Sequence, residues 1–285
     1  MREPDAEGCL QVAREGAASR LPDPAGAGPV PPCRACGGRL EAAFDSTVLG
    51  DVPVTYHVCR DCRSLMLPEP TWLDRAYAID PVPDPDSGDL QRSLMMWRVV
   101  RRLRTLGLVQ AGARTLDFGA GKGVLLRALL DDQYDAWAYD LYPHSVFARE
   151  RLRSTLPEGP FDLVTAVEVL EHTLDPIQVL GRLGGLLGPR GLLLASTEFY
   201  REGVHGSDWG YLAREMGQHV TIFSAQGFQA AAQRAGLVWI GSLRCGGQPF
   251  VHVLARSRVI SSWTWFWLCR RHHRGEHRSR RARNA

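Results

Sequence analysis

Three groups of residues in this 285-residue chain have the types and the spacing to do chemistry. The first is Thr115-Leu-Asp-Phe-Gly-Ala-Gly-Lys-Gly-Val-Leu-Leu126, where a strand closes on Asp117 and Gly119, Gly121 and Gly123 follow. Glycine there permits positive φ and lets a ligand approach the main chain closely. Asp140 closes the next strand, 21 residues after Gly119, where a carboxylate can accept both hydroxyls of a ribose. The spacing is G-x-G-x-G and not the G-x-G-x-x-G of dinucleotide sites, which disfavours a nicotinamide oxidoreductase. An ordinary strand-to-helix turn with a surface aspartate is the bland alternative. The two flanking acids favour a nucleoside-containing ligand.

The second group is Cys33-x-x-Cys36 with Cys59-x-x-Cys62, two knuckles separated by 22 residues. Four thiolates suit tetrahedral zinc, and each turn offers two sulfurs to one ion. Such a site is structural, because four sulfurs leave no position open to a substrate. A redox dithiol or two stray pairs are the alternatives. Cys9, Cys245 and Cys269 lack partner spacing and read as free thiols.

The third group is Glu168, Glu171 and His172. If the chain turns helical there, these positions share a face. Two carboxylates and an imidazole can hold Mg²⁺, Mn²⁺ or a similar ion, or can shape a pocket without metal. Downstream, His219 is a candidate general base, since imidazole titrates near neutral pH. A satisfied histidine opening a strand is its plain alternative. The stretch Gly206–Val220 is aromatic and polar and reads as a substrate-covering lid, with Asp208, Trp209 and Tyr211 shaping an acceptor pocket. A packed surface loop fits it as well.

These groups need elements to position them. Residues 1–32, rich in Pro, Gly and Ala, read as a disordered arm, and 33–67 as a zinc ribbon carrying strands over 40–58. Asp80–Gly88 is turn-rich and reads as a linker. Leu94, Trp97, Val100 and Leu103 make a helical stripe within 90–108. Strand and helix then alternate: strands at 114–118, 136–139, 161–167 and 191–196, and helices at 124–131, 144–153, 176–187 and 225–235. Two closing strands follow, at 238–243 and 250–254. That alternation predicts an α/β fold around a parallel sheet with right-handed crossovers. Little room is left for a strand between 153 and 161; residues 151–156 are its remnant.

The segment from about Leu90 to Leu254 resembles the class I S-adenosylmethionine (SAM) methyltransferases, on the strength of Asp117-x-Gly119-x-Gly121-x-Gly123, Asp140, and Phe161-Asp-Leu-Val-Thr-Ala-Val-Glu-Val-Leu-Glu-His172. The resemblance implies a Rossmann-like sheet, an N-terminal four-cysteine ribbon beside it, and S-adenosyl-L-methionine as cofactor. It assigns Asp117, the three glycines, Asp140 and Glu168 to the cofactor. Catalysis falls to His219, His172 and Glu171, and structural zinc to Cys33, Cys36, Cys59 and Cys62. The E-x-x-E-H spacing is similar to the metal-binding turn of ubiquinone-biosynthesis O-methyltransferases and of enzymes that 2′-O-methylate small-RNA ends. In the latter a further histidine lies downstream, a place that His219 occupies here. The adenine-contacting acid of the family has no clear counterpart.

Composition bounds the rest. The chain is 45% hydrophobic and 23% charged, which excludes wholesale disorder. No run of 18 apolar residues occurs and no secretory signal is recognisable, so a cytoplasmic protein is expected. From Arg270 to Ala285 there are seven arginines and one acid, while the remainder holds 27 basic and 30 acidic groups. The basic balance therefore belongs to the tail, 259–285, which begins with Trp263-Thr-Trp-Phe-Trp-Leu268. That tail suits an anionic membrane surface or RNA, or an aromatic segment packed on the domain with a solvated end. The acidic body favours a small-molecule or sugar acceptor, methylated on oxygen or carbon, over a broad RNA track. An RNA methyltransferase and a non-catalytic SAM-binding scaffold are the rivals, and the oligomeric state is open.

Overall fold

A computed structural model describes residues 30–78, 87–141, 146–245, 248–262, 264–265 and 268–269. In chain order it begins with β1 (Leu40–Val48), β2 (Val52–Cys59), β3 (Leu65–Met66), α1 (Leu73–Ala78) and α2 (Ser87–Thr105). Next come β4 (Arg114–Phe118), α3 (Val124–Asp131), β5 (Asp135–Tyr139), β6 (Leu152–Arg153) and β7 (Phe161–Val167). The last are α4 (Pro176–Gly185), β8 (Leu187–Thr197), β9 (Thr221–Ile222), α5 (Ala225–Arg234), β10 (Val238–Cys245) and β11 (Gln248–Ala255).

The chain divides into two compact units whose segments alternate along the sequence. One comprises Asp84–Val169, Arg182–Thr197 and Gly236–Ala285; the other comprises Met1–Pro83, Leu170–Gly181 and Glu198–Ala235. A contiguous body over 90–258 is the sequence expectation. The contacts instead join Leu170–Gly181 and Glu198–Ala235 to the cysteine-bearing segment.

The first unit carries a seven-stranded sheet in the order β10-β11-β8-β7-β4-β5-β6. Strands β6, β5, β4, β7 and β8 run parallel, and β11 is antiparallel to both β8 and β10. Its central strands bury both faces: Leu163, Val164, Ala166, Leu193, Leu194 and Ala195 are almost wholly enclosed. A parallel sheet covered on both sides requires such continuous apolar runs. The strand remnant expected near 151–156 is β6, two residues that pair with Ala138 and Tyr139 of β5.

Two expectations need correction. The buried stripe of α2 is Met96, Val99, Val100 and Leu103, while Leu94 and Trp97 are only half-buried. Trp97 sits at the rim because its indole N–H donates to Asp132 Oδ2 at 2.8 Å and Arg101 stacks over its ring. The helix expected at 144–153 is absent from its described part, which holds a 3₁₀ turn at Arg149–Arg151 followed by β6. Ala148, at φ 51°, breaks any helical run there.

Part of the aromatic segment at 263–268 is packed inside this unit. Leu268 is fully buried in the core cluster and Trp265 lies against it, so that a Cβ on Gly241 would sit 2.2 Å from the Trp265 ring. Residues 270–285, with the arginines of the tail, lie outside the described residues. No helix among the described residues is long and apolar enough to cross a membrane.

The second unit is built on a four-stranded sheet, β1-β2-β3-β9, antiparallel throughout. Its core gathers Val48, Tyr56, Leu65, Leu67, Trp72, Tyr200, Leu212, Val220 and Ile222. Thus β9, more than 150 residues from β3 in sequence, completes the ribbon's sheet by pairing Leu65 with Ile222 and Met66 with Thr221.

Candidate active site and metal centre

In the seven-stranded unit, chemistry converges on the carboxyl ends of β4, β5 and β7. Register places Phe118 opposite both Tyr139 and Ala166, so Gly119, Asp140 and the start of the turn after β7 share one edge. The strand order reverses direction at β4, which is where open α/β sheets form their ligand crevice. Gly119, Gly121 and Gly123 all have positive φ, 71°, 50° and 79°. Gly123 then starts α3 from a left-handed conformation. A Cβ on Gly119 would meet Val169 Cγ2 at 2.5 Å, whereas the space around Gly121 is open to 4 Å. The main chain at Gly121 is therefore approachable by a ligand.

Both acids of the turn accept hydrogen bonds. The Gly121 N–H donates to Asp140 Oδ2 at 2.7 Å, which ties the glycine loop to the end of β5. Asp117 is buried and accepts from the Thr165 hydroxyl at 2.8 Å. Burial pushes its carboxyl up to about 7, the Thr165 bond opposes the rise, and the neighbouring Asp140 charge adds to it. Glu168 stands at the end of β7 with φ 51°. Its carboxylate accepts from the Ser196 hydroxyl at 2.6 Å, and its own N–H donates to Ser196 Oγ at 3.1 Å.

That geometry corrects the expected Glu168–Glu171–His172 face. The turn after β7 is a 3₁₀ turn at Leu170–His172, and Glu168 lies outside it, engaged by β8. The set that does converge is Glu171, His172 and His219, whose ligand atoms lie within 4.8 Å of one another in the cysteine-bearing unit. Glu171 is fully buried and accepts from the Tyr211 hydroxyl at 2.5 Å. The His172 and His219 rings meet edge to face at 4.8 Å, as do those of Tyr211 and His219. His219 Nδ1 is 2.6 Å from the Tyr211 carbonyl. A carbonyl only accepts, so Nδ1 carries the proton and Nε2 is the basic nitrogen of the neutral ring.

The backbone explains how His219 arrives there. Val220 N–H donates to the Glu171 carbonyl at 2.9 Å, and the Thr221 hydroxyl donates to the Thr173 carbonyl at 2.8 Å. The 3₁₀ turn and the strand entry are thereby laced together. In the stretch Gly206–Val220, Leu212 and Val220 are buried and Trp209 and Tyr211 pack against the same core. Asp208 is exposed.

Cys33, Cys36, Cys59 and Cys62 form the other convergent set, with all four sulfurs within 4.8 Å of one another. Cys33 and Cys62 are 3.6 Å apart, and Cys36 and Cys59 3.5 Å. A tetrahedral ion with metal–sulfur bonds of about 2.3 Å has sulfur–sulfur edges of about 3.8 Å, so the spacing fits. Cys62 is pulled down to about 5, chiefly by the bond it shares with Cys33, whose own thiol is pushed up by that bond and by burial. The Gly38 N–H lies 3.4 Å from Cys36 Sγ and Ser64 Oγ 3.3 Å from Cys62 Sγ, partners of the kind that orient thiolate ligands.

Sequence reasoning missed Arg34, Thr165, Ser196 and Ser224. Arg34 donates to the Leu67, Pro68 and Val220 carbonyls and to Thr221 Oγ1. Its farthest partner is 187 positions away, and no local pattern announces such a contact.

The sheet order, the glycine turn and the paired acids define a class I methyltransferase fold. A model of the methyltransferase domain matches residues 89–240, more than half of the chain, and the chain belongs to the class I SAM-dependent methyltransferase family. Among curated proteins it is 36% identical over 104 residues to a ubiquinone biosynthesis O-methyltransferase of Xanthomonas campestris pv. campestris, covering 30% of this chain and 43% of that one. A counterpart from Xylella fastidiosa is 33% identical over 105 residues, covering 30% and 42%. The chain thus spans less than half the length of the curated relatives it matches. Solved structures similar to it include an O-methyltransferase family protein from Burkholderia thailandensis, at 20% identity, TM-score 0.47 and coverage of 59% and 57%. Mitomycin 7-O-methyltransferase is another, at 22% identity, TM-score 0.43 and coverage of 55% and 52%.

Proposed function

We propose that this chain transfers a methyl group from S-adenosyl-L-methionine to an oxygen of a small-molecule acceptor. When bound, SAM supplies a methyl carbon already activated by its sulfonium. The protein's task is then alignment and proton removal. The turn of Gly119, Gly121 and Gly123, open at Gly121, receives the methionine end, Asp117 backs it, and Asp140 holds the ribose hydroxyls. On the acceptor side, His219 Nε2 takes the hydroxyl proton. The Tyr211 carbonyl fixes the tautomer of that ring, and Glu171 and His172 orient it. Cys33, Cys36, Cys59 and Cys62 hold structural zinc. An acceptor of small-molecule type agrees with what the names of the ubiquinone biosynthesis relatives say of those proteins.

The observation that carries this reading is the bond from Gly121 N–H to Asp140, which sets a carboxylate beside an open glycine turn. Calorimetry with SAM tests it. Asp140→Ala should weaken SAM at least tenfold, since it removes charge-assisted bonds of about 1.5–3 kcal/mol. Equal affinity in wild type and variant would sink the assignment. A tritiated-methyl screen over small-molecule and RNA fractions then identifies the acceptor.

A second reading rests on the convergence of Glu171, His172 and His219 within 4.8 Å. Those donors fit a divalent ion, and two imidazoles suit Mn²⁺ better than Mg²⁺. Methyl transfer that rises with added Mn²⁺ and is lost in Glu171→Ala supports it. Metal-independent transfer supports the simple base.

A further inference from the structure

We infer that Arg34, in the first cysteine knuckle, is a positioning residue through which the four-cysteine centre fixes the imidazole of His219. The inference rests on the reading of the four cysteines as a zinc site and of Glu171, His172 and His219 as acceptor-side groups.

Arg34 lies between Cys33 and Cys36, so the backbone that bears it is set by two of the sulfurs. Its guanidinium reaches away from them. Nη2 donates to the carbonyls of Leu67 and Pro68 at 2.8 and 2.6 Å, and Nη1 to the Val220 carbonyl at 2.9 Å and to Thr221 Oγ1 at 3.3 Å. All four acceptors are neutral oxygens, three of them main-chain, so the fork reads position and not charge. Val220 and Thr221 follow His219 directly. They are also the residues bonded to the Glu171 and Thr173 carbonyls on the turn that bears His172. One guanidinium therefore grips the two residues that lace both histidine-bearing segments together.

The second knuckle grips the other end of the same segment. The Ser224 hydroxyl donates to the Cys62 carbonyl and accepts from Gly227 N–H at 2.9 Å, capping α5, while Ser224 N–H donates to Ser64 Oγ at 3.0 Å. Residues 219–224 are thus held at both ends by turns whose geometry the cysteines define. Loss of the metal frees both turns at once, and the short bond from His219 Nδ1–H to the Tyr211 carbonyl goes with them.

The test reads that bond directly and needs no acceptor. In the full chain, reconstituted with Zn²⁺ and labelled with ¹⁵N-histidine, the His219 Nδ1–H should give a slowly exchanging downfield signal. In Arg34→Met that signal should be lost, with one zinc retained per chain and SAM affinity within twofold of wild type. Thr221→Val, which leaves both knuckles intact, should weaken the signal likewise. An unchanged His219 signal in zinc-loaded Arg34→Met overturns the inference. Zinc loss in Arg34→Met does so too, because Arg34 would then serve the knuckle alone. If Arg34→Met fails to fold, shown by loss of dispersed amide signals from the cysteine-bearing unit, Thr221→Val decides: a weakened signal supports the coupling and a wild-type signal overturns it. Absence of zinc from the wild-type chain sinks the metal reading separately.

Discussion

Two buried titratable side chains in the sheet-bearing unit respond to pH in opposite senses. Asp117 has its folded carboxyl at about 7, mainly through burial, against an ordinary value of 3.8. The folded state therefore binds the extra proton between those values, and its stability falls as pH rises from about 4 to about 7. His252 is the reverse case. It is buried, its Nε2–H donates to the Thr197 carbonyl at 3.0 Å, and its Nδ1 accepts from Ser242 at 2.7 Å. Burial lowers it to about 4, so the stability it contributes is complete above 6.5 and is lost as pH falls toward 4. Each shift is worth roughly 3–4 kcal/mol as an upper bound. Asp117→Asn keeps an acceptor for Thr165 but cannot ionise. It should raise the urea midpoint at pH 8 and expose the His252 loss as a steep fall between pH 6.5 and 4. A variant no more stable than wild type at pH 8 would show that Asp117 ionises in place without penalty.

At the scale of elements, the central strands of the sheet are legible in the sequence because burial on both faces leaves apolar runs, as in β7 and β8. The glycine turn is legible because its chemistry is local. Within the described part of 144–153 no α-helix forms, since Ala148 has positive φ, and Val146 and Phe147 are exposed. Helical spacing misleads after β7, where a 3₁₀ turn forms over Leu170–His172 and does not include Glu168. Glycines in the helices separate two effects that sequence cannot. On Gly227, in α5, a Cβ would sit 1.9 Å from Ser64 Oγ and 3.1 Å from Cys62 Sγ. On Gly185, which closes α4, nothing lies within 4 Å. Gly227→Ala should destabilise by about 1–3 kcal/mol through overpacking and loosen metal retention. Gly185→Ala should stabilise by about 0.5–1 kcal/mol through helix propensity. Thermal melts and zinc release on the two variants check both signs; a neutral Gly227→Ala would mean that the knuckle yields.

For the whole molecule, what sequence could not show is that the two units interleave. Each is made of three segments, so the chain passes between them five times. Spacing marks the cysteines as a ribbon, but nothing near residue 221 signals that β9 belongs to the ribbon's sheet, since two residues carry no periodicity. The consequence is that a metal bound at Cys33, Cys36, Cys59 and Cys62 stabilises segments far outside 33–67. Binding at such a site is folding free energy for whatever the site orders. A zinc chelator applied to the metal-loaded chain should therefore release a defined set of amides to hydrogen exchange. Among them are Val220, bonded to the Glu171 carbonyl, Tyr200, bonded to the Phe223 carbonyl, and Leu67, bonded to the Val220 carbonyl. Amides of β4, β7 and β8 should keep their protection, because their partners all lie in the other unit. Calorimetry on the chelated chain should accordingly retain SAM binding. Exchange that rises evenly over both sheets would mean that the units unfold as one, and exchange confined to 33–67 would mean that β9 holds without the metal.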